Sequence, residues 1–368
     1  MSEPLKIGLI GSGGIANRHL TAYLNHRDQV QLTAVCDVVE EAARDYAGRA
    51  GVEAVYLDAD EMLLDADIEA VDICTSHNSH APLAVAAARA GKHVMVEKAM
   101  ASTLRGCRDM IDAADEAGVI LMIAQHLRYS PEARAAKRLI EDGRLGEIQA
   151  VRTHLMGGGN ARPREGHWMD DRDRGGGMLM VTSVHHLDLL RYYAGNVKRV
   201  TGICKSLAPH LQNGAEDLVS ATLEFENGAI GNVFGMGSSL APEGRGYMLI
   251  GSNGTLHSTM PKPGQSDASP TRHFGTLMFS LKGEELDPRN ARDRQRIINP
   301  PFEPLDTSGI DLPTQDYFVN EILHFAQCCG TGAEPVSSGR DNIETIKIIM
   351  GIFESSRRGG MPVDLDDL

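Results

Sequence analysis

Apolar residues follow two rhythms along this chain, and the change between them falls near residue 125. Before it, short apolar runs at 5–10, 32–36, 54–56, 70–74, 93–96 and 119–124 alternate with helical spacing at 15–24, 40–49, 60–65, 82–90 and 104–117. Apolar runs this short suit strands buried on both faces. Their regular alternation with helices predicts an α/β fold, a parallel doubly wound Rossmann sheet whose ligands bind beyond the carboxyl ends of the strands. After Gln125 a helix at 131–141 leads into strand-like runs at 148–155, 197–205, 218–225, 229–236 and 246–250. Strands this close together, with few helices between, predict an α+β domain on a large, mostly antiparallel open sheet. Domains 1–125 and 126–368 follow. A Gly/Arg/Asp-rich stretch at 155–177 reads as a wall of the site, and the irregular stretch 259–313 as functional or as an interaction arm. Helices at 316–329 and 342–357 close the chain, the second expected to pack near the first domain.

The first strand runs into Gly11-Ser12-Gly13-Gly14-Ile15-Ala16, and the second ends on Asp37, 21 residues after Ala16. Gly11 permits a tight turn, and Gly13 with Gly14 lets backbone approach a pyrophosphate. Ile15 opens the helix, Ala16 keeps it close to the sheet, and its first N–H groups face the phosphates. Asp37 accepts both ribose hydroxyls of an adenosine. Apolar Val38 and Val39 follow it with no adjacent arginine, which predicts NAD over NADP. Two further strand-end loops, 75–80 (with Ser76, His77, Asn78 and His80) and 97–100 (with Glu97 and Lys98), are expected on the same crevice.

Composition narrows the class. The 368 residues are 42% hydrophobic and 23% charged, as in an ordinary globular protein. A net charge of −14 without a Lys/Arg cluster argues against nucleic-acid and anionic-membrane partners. The six cysteines lack Cys-x-x-Cys spacing, and no signal peptide or apolar stretch of spanning length is present; a reduced, cytoplasmic protein is expected. His126, His154 and His167 are scattered, and the adjacent His185 and His186 make a poor chelate, so no metal is expected.

Five segments in order carry a resemblance. Gly11–Ala16 is the first; Ser76-His77-Asn78-Ser79-His80 is similar to a Thr-Pro-Asn-x-x-His loop; and Glu97-Lys98-Ala99 is similar to a Glu-Lys-Pro motif, with alanine for proline. Arg128-Tyr129-Ser130-Pro131 is similar to Arg-Phe-x-Pro, and 175–188, from Gly175 through His185 to Asp188, to a Gly-Gly-Gly-x-Leu-x-Asp-x-Gly-x-His-x-x-Asp segment. With its C-terminal pattern, the chain resembles the Gfo/Idh/MocA family of nicotinamide-dependent sugar and cyclitol oxidoreductases nearly end to end. The resemblance implies Lys98 and His185 as catalytic residues and a homodimer or homotetramer. Two positions depart from it: Val181 replaces the aspartate four before the histidine, and Ser183 the glycine two before it. If 177 onward is helical, Val181 shares a face with His185 but can neither orient the ring nor stabilise its cation.

Lys98 at a strand end can stabilise a developing alkoxide and relay its proton, and His185 is the natural acceptor near neutral pH. Trp168, Arg162, Arg164, Asp170 and Asp171 occupy the loop expected to border a polyol, with Arg128, Tyr129 and His186 as further substrate candidates. These residues point to hydride transfer between NAD and a secondary hydroxyl of a sugar, sugar derivative or cyclitol. Two alternatives are an NAD-using glycosidase working through transient oxidation of a ring hydroxyl and a non-catalytic NAD-binding regulator. Retention of Lys98 and His185 counts against the regulator, and the loss of the aspartate at Val181 counts for it.

Overall fold

Six parallel strands form the first sheet: β1 (Leu5–Ile10), β2 (Val30–Cys36), β3 (Ala54–Tyr56), β4 (Ala70–Ile73), β5 (His93–Glu97) and β6 (Leu121–Ala124), in the order β3-β2-β1-β4-β5-β6. They alternate with α1 (Ala16–Asn25), α2 (Glu40–Ala50), α3 (Ala59–Asp65), α4 (His77–Arg89) and α5 (Leu104–Ala117). The computed structural model describes residues 3–156, 166–237, 245–258, 276–282, 289–298 and 300–368. Central strands are apolar because both faces are covered: Ile7, Leu9, Val71, Ile73, Val94 and Val96 are fully buried. Strand order reverses between β1 and β4, and a crevice opens at the carboxyl ends there. Helix α4 begins five residues before Pro82, so His77, Asn78 and His80, expected on a loop, lie on its first turns. Pro82 is tolerated inside the helix, where its missing N–H forfeits one bond.

A short 3₁₀ turn (His126–Tyr129) and α6 (Pro131–Glu141, capped by Ser130) lead to the second sheet. It holds β7 (Ile148–Met156), β8 (Val197–Lys205), β9 (Leu218–Phe225), β10 (Ile230–Met236), β11 (Arg245–Gly251), β12 (Gly254–Ser258), β13 (Leu277–Leu281), β14 (Glu303–Pro304) and β15 (Val363–Asp364), ordered β14-β13-β12-β11-β7-β10-β9-β8-β15. All pairs are antiparallel except β7 with β10. Strands β12 to β15 carry no long alternating run and are invisible to pattern reading. Part of 259–313, expected to be irregular, is therefore sheet, together with α8 (Ala291–Ile298); much of the rest lies outside the described residues, as do Arg162 and Arg164.

Helices α7 (Val184–Ala194), α9 (Tyr317–Thr331) and α10 (Gly339–Arg357) fill the space between the sheets. Helix α10 packs on β8 and on α5, and α9 packs on α1. Gly202 on β8 makes this approach possible, because an added Cβ would sit 3.2 Å from Ile352 of α10. The six cysteines are free, four of them buried. Among the described residues no helix is long and apolar enough to cross a membrane.

Candidate active site

The crevice above β1 and β4 encloses about 960 Å³. Its floor is the Gly-rich turn. Gly11 has φ +92°, and a Cβ there would meet the Cys74 carbonyl oxygen at 2.7 Å, so only glycine fits. At Gly13 and Gly14 an added Cβ meets nothing within 4 Å, which leaves the backbone open to the crevice beside the first turn of α1. A dinucleotide pyrophosphate fits such a turn. Asp37 is held at the far wall: its Oδ2 accepts from the Ser12 N–H (2.8 Å) and hydroxyl (2.9 Å), and its Oδ1 from the Val39 N–H (2.9 Å). Asp58 and Asp60 line the same end, so it is acidic.

At its other end the crevice meets a smaller cavity of about 240 Å³. Lys98, Ile15 and Val181 line both spaces, while His126, Thr182, His185, Arg18, Arg245 and Phe318 line only the smaller. Lys98 stands at the end of β5, where its Nζ donates to the Val181 carbonyl (2.9 Å). The Lys98–Ala99 peptide bond is cis. Burial pulls the Lys98 ammonium below its ordinary pKa; Glu97 opposes this and Arg245 adds to it. His185 is 8% exposed, with its ring 4.5 Å from that of His126.

The helix expected from Gly177 proves to be a π-helical turn, Leu179–Ser183, running into α7. Such turns recur at functional sites because the wider coil turns backbone groups outward. Buried Glu216 holds its start, with Oε1 accepting the Leu179 N–H (2.7 Å) and its main-chain oxygen the Met178 N–H (2.8 Å). Burial pushes the Glu216 carboxyl up to about 7. Val181 thus faces Lys98 through its carbonyl, a contact that needs no carboxylate in the side chain.

Behind Lys98 lies a buried polar network. Glu97 Oε2 accepts the Lys98 N–H (3.0 Å), while its Oε1 lies 3.3 Å from His19 Nε2. His19 Nδ1 is 2.7 Å from Asp72, which also accepts from Tyr23 (2.7 Å), and Glu321 of α9 lies 3.8 Å from His19 Nε2. Burial opposes charge on His19, but Asp72 and Cys74 outweigh it and raise its pKa well above the usual imidazole value. Burial, with Glu97 and Asp72 nearby, pushes the Glu321 carboxyl up against the pull of His19. Glu97 therefore backs the lysine from beneath.

Several expected site residues stand elsewhere. Gly11, Gly13, Gly14, Ile15, Asp37, Ser76, His77, Glu97, Lys98 and Trp168 do line the crevice. His77 fixes its rim, with ring nitrogens 2.7 and 3.2 Å from the Gly175 and Lys98 carbonyl oxygens and Trp168 edge-on at 4.6 Å. Ala16 is buried beneath the turn, and His80 bridges the Ala99 and Thr75 carbonyls, out of the crevice. Asn78 points away and accepts from Ser76. Arg128, expected at the substrate, is 1% exposed and bound by both oxygens of Asp188 (2.6 Å each) and by Asp341 (2.7 Å). Tyr129 is a core residue whose hydroxyl meets Ser337 at 2.9 Å. His186 turns to the second sheet, 3.0 Å from Thr153, and Asp170 is buried off the cavity wall. Adjacency in sequence to a motif placed these residues near the site; helix and strand geometry turned them away from it.

Five residues of the small cavity were missed, among them Thr182, which lies inside the 175–188 segment. His126 follows the carboxyl end of β6, a location that could have flagged it. Arg18 lies near the start of α1, just past the Gly-rich turn, an equally readable signal. Arg245 and Phe318 come from β11 and α9, and nothing local in the sequence points to them.

Comparison with known proteins agrees with this geometry. A family model described as "Oxidoreductase family, NAD-binding Rossmann fold" matches residues 5–125, and one described as "GFO/IDH/MocA C-terminal domain" matches residues 133–257. The 1,5-anhydro-D-fructose reductase of Ensifer adhaerens is 30% identical over 68% of this chain and 74% of its own length. The scyllo-inositol 2-dehydrogenase (NAD(+)) of Bacillus subtilis is 27% identical over 100% and 98%. An oxidoreductase domain protein from Kribbella flavida shares the fold with a TM-score of 0.83 at 23% identity, covering 99% of this chain and 100% of that one.

Proposed function

The chain belongs to the GFO/IDH/MocA oxidoreductase family, and from that membership we propose that it transfers hydride between NAD and a secondary hydroxyl of a small polyol, with Lys98 and His185 handling the proton. One observation carries the reading: Lys98 lies where the dinucleotide crevice opens into the cavity that holds His185. Bound NAD supplies the hydride acceptor at nicotinamide C4. Lys98 Nζ, released from the Val181 carbonyl, takes the hydroxyl proton as the carbon–hydrogen bond breaks. Its lowered pKa favours the neutral form that oxidation needs, and in the reverse direction its ammonium donates. His185 holds the hydroxyl from the other wall and passes the proton on. A panel of polyols, monosaccharides and glycosides, followed by NADH absorbance, tests this. NADH formation from a free polyol supports it; glycoside cleavage without net NADH refutes it.

Asp37, flanked by Asp58 and Asp60, repels a 2′-phosphate and offers it no cation. NAD is therefore expected to be strongly preferred over NADP. Asp37→Ala narrows that preference, mainly by weakening NAD. Equal kcat/KM for the two cofactors in the unaltered protein would contradict the assignment.

The protein is also expected to be a homo-oligomer. On the face of the second sheet away from the helices, Ile230 and Ile250 flank Ala150, and Phe234 and Ile203 flank Ser220, with the polar rung Arg152, Asn232 and Thr222 between them. These four large side chains are 38–49% exposed on a mixed sheet face that a second copy would cover. Light scattering at micromolar concentration should give a dimeric or larger mass, and a monomeric mass refutes the proposal.

A further inference from the structure

The two ends of the binding space carry opposite charge. The adenosine end is lined by Asp37, Asp58 and Asp60, as the ribose hydroxyls require. The small cavity at the other end is lined by Lys98, Arg18 and Arg245, with His126 and His185, and no aspartate or glutamate among the described residues lines it. Arg245 shows the imbalance most clearly. It is half-buried at the start of β11, burial alone depresses its pKa, and no carboxylate among the described residues pairs with it. Arg18 is exposed at the mouth of the cavity, lies over Phe318 5.9 Å from the ring centre, and can reach a bound group from there. The fully buried arginines are paired, Arg128 with Asp188 and Asp341 and Arg191 with Asp341, which is how this protein otherwise treats a buried guanidinium.

A half-buried, unpaired guanidinium is costly unless something binds it. The positive nicotinamide of oxidised NAD, bound in the adjoining crevice, would add to the cost. Glu97 lies behind Lys98, engaged by its backbone N–H and by His19, and does not line the cavity. A neutral sugar would leave Arg245 and Arg18 with only hydroxyl partners, whereas an anionic group would neutralise them and accept charge-assisted bonds in the planar geometry that guanidinium favours. At about 240 Å³ the cavity is smaller than the ~300–1,000 Å³ of ordinary ligand sites, so the anion and the reacting hydroxyl belong to one small molecule.

We propose that the substrate is an anionic polyol, a hydroxylated ring or chain bearing a carboxylate or phosphate that Arg245 and Arg18 bind while its hydroxyl faces Lys98. This rests on the polyol-oxidation reading and names its substrate class. The arms of the test are matched pairs: glucose against glucuronate, galactitol against galactonate, and glucose against glucose 6-phosphate. Each is assayed for NADH formation and titrated calorimetrically into NADH-saturated protein. The acidic member of a carboxylate or phosphate pair should exceed its neutral partner in kcat/KM by roughly 30- to 100-fold, the usual scale for a desolvated charge pair. Whether carboxylate or phosphate arms respond identifies the group. In Arg245→Gln the acid-to-neutral ratio should fall by a similar factor, and Arg245→Lys should restore part of it; the ratio cancels any change in Lys98 common to both sugars. Neutral sugars turned over as well as their acids would overturn the inference while leaving the oxidoreductase reading intact. Acids that bind in an Arg245-dependent way without reducing NAD would support the anion site and sink the polyol-oxidation reading. Absence of acid binding, or a ratio indifferent to Arg245, overturns the inference outright.

Discussion

Lys98→Met should lower kcat by about 10²–10⁴-fold while leaving NAD affinity nearly unchanged, the range expected when a group that moves a proton and stabilises alkoxide charge is removed. Methionine keeps the length and apolar stem of the side chain, so packing at the end of β5 survives. The loss falls on kcat because the interaction grows as the hydroxyl loses its proton. Two measurements separate this from a folding defect: the melting temperature should stay close to that of the unaltered protein, and NADH fluorescence titration should give a similar Kd. Wild-type kcat in this variant would remove Lys98 from the chemistry and shift the proton to His185.

Arg128→Met should be strongly destabilising. The guanidinium is 1% exposed and neutralises two carboxylates, Asp188 and Asp341, and Asp341 also binds Arg191. Deleting one partner of a buried ion pair leaves Asp188 charged and dry, at a cost of about 3–5 kcal/mol, whereas Asp341 is one-third exposed and keeps Arg191. Its Nη1 also donates to the Val336 carbonyl (2.7 Å), so the segment before α10 loosens as well. Thermal and denaturant unfolding should show the loss, while KM measured well below the melting temperature stays unchanged. A stable variant with a greatly raised KM would return Arg128 to the substrate site.

The comparison of pattern with fold turns on how local each signal is. The Gly-rich turn, Asp37 and Lys98 were readable because each depends on a short stretch: a glycine with φ +92°, an acid closing the second strand, and a lysine at a strand's end. A parallel sheet also gathers its carboxyl ends on one side, so chain order alone brings these loops together. The same locality does not fix side-chain direction at Arg128, Tyr129 and His186, where a motif sets sequence spacing and the fold places each side chain away from the cavity. Val181 is the intermediate case: its side chain is that of a lost carboxylate, but the π-helical turn makes its carbonyl the group that meets Lys98.

By itself, then, the sequence determined the alternation of elements, the glycine-rich turn, the acid that closes the second strand and the lysine at the end of β5. These are properties of backbone conformation and hydrophobic period, which act over a few residues. Only the tertiary structure decided the basic cavity and the network behind Lys98. Arg245 reaches the cavity from β11, and Glu321 meets His19 across about 300 residues of chain, because packing of α9 on α1 and of the second sheet beside the first closes those distances. Burial then makes their charges matter, since a charge is costly or effective according to how much water its neighbours exclude.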